Sequence, residues 1–102
     1  MALEATETYQ NDELVIELTG RLDAVTSDGF QKLLMEKIEE VSGDLVLDCS
    51  ELEFVSSAGL RIFLTAQKTL QAKGAALKLV HTRDNIMKVL VMTGFDKFLK
   101  IR

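Results

Sequence analysis

The residues best able to do chemistry in this chain fall in three short segments: Arg21-Leu-Asp23-Ala, Phe54-Val-Ser-Ser57-Ala-Gly-Leu60 and His81-Thr-Arg-Asp84. A serine, a histidine and an aspartate could in principle form a nucleophilic triad, with Ser57 set between strand and helix like a nucleophile elbow. The detail fails, because Val55 stands where the elbow needs its first glycine and His81 is the only histidine. Ser57 has a plainer use as a helix N-cap, its hydroxyl accepting an N–H two or three residues on. It also has a regulatory use. With Ala58 and Gly59 after it, the hydroxyl stands clear to accept a phosphate, whose charge of about −1.5 to −2 is tolerated by a helix N-terminus but changes the surface a partner meets.

The other candidates have mostly structural readings. Asp23 suits a turn or cap as well as a partner contact, and Asp48, followed by Cys49 and Ser50, suits an Asx turn. Cys49 reads as a buried small hydrophobe and His81 as a structural imidazole. Arg61 either solvates its helix or pairs with a partner carboxylate, while Met35, Met87 and Met92 suit apolar filler in the core or against a partner. One His and one Cys cannot supply the four ligands of a structural zinc site, and no glycine-rich phosphate loop is present. The expectation from these residues is no catalytic residue, no cofactor and no metal.

The elements that must position these segments follow from the apolar pattern. Residues 3–9 alternate weakly, Asn11-Asp12 forms a turn, and Leu14, Ile16 and Leu18 alternate again, which predicts a β-hairpin. From Thr26 the period becomes helical, with Phe30, Leu33, Leu34, Ile38 and Val41 on one stripe and Gly43 at the C′ position. A short strand over 44–48 follows, then an irregular loop over 49–56 whose Leu52, Phe54 and Val55 tuck against the core. A helix over 58–73 ends at Gly74, residues 76–80 form a strand, and Thr82 caps a helix over 84–92 that Gly94 closes. A last short strand spans 98–101. The order β-β-α-β-α-β-α-β predicts an α/β fold with a four- to five-stranded, mostly parallel sheet, antiparallel only at its first strand. Glu17 and Lys78 lie on the face opposite Ile16 and Leu77/Leu79, so the helices should cover mainly one face. The three chemical segments then converge at the carboxyl ends of the strands.

The chain of 102 residues, 47% apolar and 27% charged, has the balance of one globular domain spanning 1–102. Sixteen acidic against twelve basic side chains give a formal charge of −4, which argues against nucleic acid. No signal-peptide pattern and no apolar run of the ~18–20 residues of a spanning helix is present, so neither export nor membrane insertion is expected. The single cysteine suits the reducing cytoplasm.

From about Leu14 to Gly94 the chain resembles the STAS family, the anti-anti-sigma factors (anti-sigma factor antagonists) of bacteria. The likeness rests on Gly20-Arg-Leu-Asp23, Leu45-Val-Leu-Asp48, Phe54-Val-Ser-Ser57-Ala-Gly-Leu60 and Gly94-Phe95. In that family the serine two places before the Gly-Leu pair accepts phosphate, which here is Ser57. The resemblance implies a one-domain switch that binds an anti-sigma factor serine kinase when unphosphorylated, is released on phosphorylation, and is reset by a serine phosphatase. Its partner surface would comprise Asp23, Ser56, Ser57, Ala58, Gly59, Leu60 and Arg61, and a bulky residue at Gly59 should block docking with little loss of stability. Many members carry Asp where this chain has Ser56, and members commonly continue into a C-terminal helix. The alternative on the same fold is a STAS regulatory or scaffold subunit of a sensory or transport complex.

Overall fold

A computed structural model describes residues 2–11 and 13–101. Strands β1 (Leu3–Gln10) and β2 (Glu13–Leu22) form the hairpin; then come α1 (Ser27–Glu40), β3 (Leu45–Val55), α2 (Ser57–Ala72), β4 (Leu77–Val80), α3 (Asp84–Thr93), a 3₁₀ turn (Phe95–Lys97) and β5 (Lys100–Ile101). The expected order of elements is present. Asn11 takes a left-handed φ of 50°, as its place in the hairpin turn requires; Asp12 lies outside the described residues.

The strands lie in the sheet in chain order, β1-β2-β3-β4-β5, with β1 antiparallel to β2 and the others parallel. Each β-α-β crossover therefore steps in the same direction, and right-handed crossovers that keep one direction put every helix on the same face. That face carries Leu14, Ile16, Leu18, Leu45, Leu47, Leu77 and Leu79, all buried against Phe30, Leu34 and Ile38 of α1, Phe63, Ala66 and Leu70 of α2, and Ile86 and Leu90 of α3. The rings of Phe30 and Phe63 meet edge to face at 6.2 Å, joining α1 to α2. On the other face Lys78 sits between Glu13 at 2.6 Å and Asp44 at 3.0 Å, a polar network suited to a solvated sheet surface.

Four local expectations are corrected. Residues 49–55 are not a loop but the second half of β3, and its registers against β2 explain the broken pattern. Glu17 pairs with Asp48 but Thr19 with Glu51, and Gly20 pairs with Leu52 but Arg21 with Phe54, so β3 takes up an extra residue at each step. Cys49, Leu52 and Val55 consequently face the core at every third position, which hides the period of two. Phe54 turns outward with the Arg21 guanidinium 4.4 Å from its ring centroid.

Gly43 is not the cap of α1. The helix ends at Val41 in an extended conformation, and the Lys73 ammonium donates to the carbonyls of Ile38 at 2.5 Å and Val41 at 2.6 Å. Those are orphan acceptors of a helix C-terminus, satisfied here by a cation from the end of α2. Thr82 does not cap α3; Arg83 holds that position, and the buried Thr82 hydroxyl has no partner among the described residues. Gly94 does close α3, in the left-handed region at φ 78°. Phe98 lies outside the last strand, which is shortened to Lys100–Ile101 by the 3₁₀ turn before it.

Replacing Lys73 with Met keeps the aliphatic stem but leaves two helix-end carbonyls without their cation. Urea unfolding should show a loss of about 1–2 kcal/mol, the scale of charge-assisted bonds to neutral acceptors.

Candidate functional site

The site is built where β2 and β3 end. The Ser56 N–H donates to the Leu22 carbonyl at 2.8 Å, tying the two strand ends together. Its Oγ accepts from the Gly59 N–H at 3.2 Å, with Ser56 extended at φ −82°, ψ 171°. Ser56 is therefore the N-cap of α2, a correction to the sequence reading that gave this use to Ser57. Ser57 becomes the first helical residue; it is exposed, and its hydroxyl makes no hydrogen bond among the described residues. Serine is among the best capping residues because its short hydroxyl reaches an N–H of the first turn.

The facing turn between β2 and α1 is ordered by Asp23. Its Oδ1 accepts from the Val25 N–H at 3.0 Å and the Thr26 N–H at 3.1 Å. The Thr26 hydroxyl accepts from the Asp23 N–H at 3.0 Å and donates to the Arg21 carbonyl at 2.8 Å. The bond from the Thr26 N–H is the main reason the Asp23 carboxyl is held below its ordinary pKa, with the Val25 bond, the Thr26 hydroxyl and Arg21 adding to it against a desolvation penalty. Of the two roles read for Asp23, the turn is present in the structure.

Gly59 and Leu60 turn inward. A Cβ at Gly59 would stand 2.7 Å from Leu22 Cγ, 2.8 Å from Leu22 Cδ2 and 3.0 Å from Val55 Cγ1, so the start of α2 rests directly on the ends of β2 and β3. The expectation that a bulky residue at Gly59 would cost little stability is thereby overturned. Ser57 and Arg61 remain exposed, with Ser56 and Ala58 half-buried beside them. Ala58 and Arg61 line a shallow groove between α1 and α2 together with Ser27, Asp28, Gln31 and Thr65. Val25, at 87% exposure, and Phe54 flank this edge as apolar surface. Sequence reasoning missed both: Val25 lies in a turn with no periodicity, and Phe54 is displaced outward by the second bulge.

The third segment does not join the other two. β4 ends at Val80, whose partner is Asp48, whereas β3 continues for seven more residues, roughly 20 Å at the usual strand rise. His81, at φ 57°, pairs instead with Asp48, Nδ1 to Oδ1 at 3.2 Å. The next residues serve the free edge of β3: Arg83 Nε donates to the Ser50 carbonyl and Asn85 Nδ2 to that of Glu53, each at 2.9 Å. No triad of Ser57, His81 and Asp23 is assembled. Asp48 forms the expected Asx turn, accepting from the Ser50 N–H at 3.0 Å, and burial pushes the Cys49 thiol up to about 12, an unreactive state.

Comparison with known proteins agrees with this architecture. A family model described as the STAS domain matches residues 3–102. An anti-sigma F factor antagonist of Paenibacillus polymyxa is 28% identical over 99% of this chain and 87% of its own length. Among solved structures, an anti-sigma factor antagonist from Mycobacterium paratuberculosis superposes with a TM-score of 0.86 at 21% identity, covering 97% of this chain and 84% of the other. The Bacillus cell fate determinant SpoIIAA, solved in its phosphorylated form, superposes with a TM-score of 0.73 at 19% identity, covering 98% and 90%.

Two measurements check the site as built. Gly59→Ala should gain about 1 kcal/mol of helix propensity but incur overpacking toward the upper end of about 1–3 kcal/mol, because the added methyl meets Leu22 Cγ as well as Cδ2, for a net loss of about 1–2 kcal/mol seen as a lowered Tm. For Asp23, the contribution to stability is complete above its unfolded-state pKa and is lost as pH falls through the lower folded value. Carbon-detected NMR titration should place its midpoint below the ordinary 3.8, with the β2–α1 turn intact at pH 5 and loosening only in more acid solution. Asp23→Asn should remove that acid dependence.

Proposed function

The chain belongs to the STAS-domain family, and from that premise we propose that it is an anti-sigma factor antagonist acting in the cytoplasm through a phosphorylation switch at Ser57. Unphosphorylated, it binds an anti-sigma factor that is also a serine kinase, freeing a sigma factor; phosphorylated, it lets that partner go. The observation that carries the reading is the exposed, unbonded Ser57 hydroxyl at the first position of α2, left free because Ser56 takes the cap. Its named relative and the phosphorylated SpoIIAA structure supply the class of partner and modification. Among the described residues no helix is long and apolar enough to cross a membrane.

The chemistry asks little of this protein. The Ser57 Oγ attacks the γ-phosphorus of ATP in the kinase, an O–P bond forms, the bond to the β,γ-bridging oxygen breaks, ADP leaves, and the hydroxyl proton passes to a base of the kinase. A serine phosphatase reverses the state by directing water at the same phosphorus, returning the hydroxyl and releasing inorganic phosphate. What the chain provides is position. α2 holds Ser57 at its positive end, where the new charge is tolerated by the domain, while Asp23, Ser56, Ala58 and Arg61 form the surface around it. Gly59 and Leu60 contribute from beneath by seating α2 on the strand ends. Release then comes from the phosphate meeting a desolvated, acidic or close-packed partner surface, with no refolding of the domain.

Incubation with the serine kinases of the anti-sigma type from the same organism and ATP should put phosphate on Ser57, located by mass spectrometry. Ser57→Ala should bind the kinase constitutively and Ser57→Asp at least tenfold more weakly, a difference of about 1.4 kcal/mol. Phosphate on Ser56 alone, or equal affinity of the two variants, would overturn the proposal.

A further inference from the structure

Arg61 is exposed and, among the described residues, has neither a hydrogen bond nor an ion pair. It lies four residues after Ser57 on α2, so the two share one helix face with their Cβ atoms roughly 5–6 Å apart. Helical side chains lean toward the N-terminus, which directs a residue at this position back over Ser57. The first turn of α2 contains no acidic residue, so nothing in it competes for the guanidinium or answers the helix dipole. Asp28 lines the same groove from α1 but makes no ion pair with Arg61. An acid preceding a base by four residues is also the favourable order for such a pair.

We propose that Arg61 is the internal counter-charge of the phosphate on Ser57: once Ser57 is phosphorylated, the guanidinium pairs with it along the outer face of α2. This inference rests on the Ser57 reading. The planar fork matches two phosphate oxygens, which a lysine ammonium cannot do. The pairing gives the switch a second consequence besides the added negative charge. Arg61 is exposed toward any docking partner in the unphosphorylated protein, and in the phosphorylated protein it is occupied within the chain, so phosphorylation both adds an anion to the surface and withdraws a cation from it. Arg61 thus acts as a positioning residue that fixes where the phosphate points.

The test uses full-length protein with phosphoserine installed at position 57 during translation, so that no kinase is needed. Phosphorus NMR then follows the second ionisation of the phosphate, with a usual pKa of about 6, and proton–nitrogen spectra follow the Arg61 side-chain Nε–H. In the parent chain the phosphate should titrate below that value, and the Arg61 signal should shift with the same midpoint. Arg61→Gln should raise the midpoint by roughly half a unit, and Arg61→Lys should restore only part of the difference. An unchanged midpoint in Arg61→Gln, with no response of Arg61 in the parent, would mean that the helix end alone holds the phosphate and would overturn the inference. The two readings fail separately, since phosphate placed elsewhere by the kinase speaks against Ser57, whereas these titrations speak only of Arg61.

Discussion

Ser56 is bound twice, through its N–H to the Leu22 carbonyl and through its hydroxyl to the Gly59 N–H, and the geometry of the whole edge depends on that double attachment. The first bond fixes the end of β3 to the end of β2. The second starts α2 at once, without a connecting loop. Between them they leave the following serine on the outside of the first turn with no structural task. The Ser57 hydroxyl is free because the adjacent serine has the capping role.

Close packing beneath the helix supports this arrangement. The absence of a side chain at Gly59 lets α2 settle on Leu22 and Val55, at distances where a methyl group would already collide. Across the gap, Asp23 and Thr26 hold the β2–α1 turn by reciprocal bonds that use most of their polar groups. A surface preorganised in this way loses little conformational freedom when a partner docks.

The strand order has a functional consequence of its own. In open α/β sheets ligand crevices form where the order reverses, and here the strands run monotonically from β1 to β5. The helices all lie on one face, and at the sheet's carboxyl edge α2 starts directly on the ends of β2 and β3. β4 stops well short of that edge, so only β2, β3, α1 and α2 build it. Such a shape suits contact with another protein, which agrees with a family whose named relatives are antagonists of anti-sigma factors.

The sequence by itself determined the α/β class, the hairpin start, the helical stripes and the start of a helix at the Ser-Ser-Ala-Gly-Leu stretch, because each of these is written in local periodicity, turn chemistry or a short motif. It pointed to Cys49 as core for the same local reasons, and left Asp23 open between a turn and a partner contact. Tertiary structure alone decided which serine caps α2, since that turns on the backbone conformation of Ser56 and its bond to a strand distant in sequence. It decided that 49–55 is strand, because two bulges against β2 replace alternation with a spacing of three. It decided that Gly59 is a packing contact, that His81 stays away from Ser57, and that Lys73 closes α1. Each of these depends on register or on a contact between distant elements, and a local pattern of residue types carries neither.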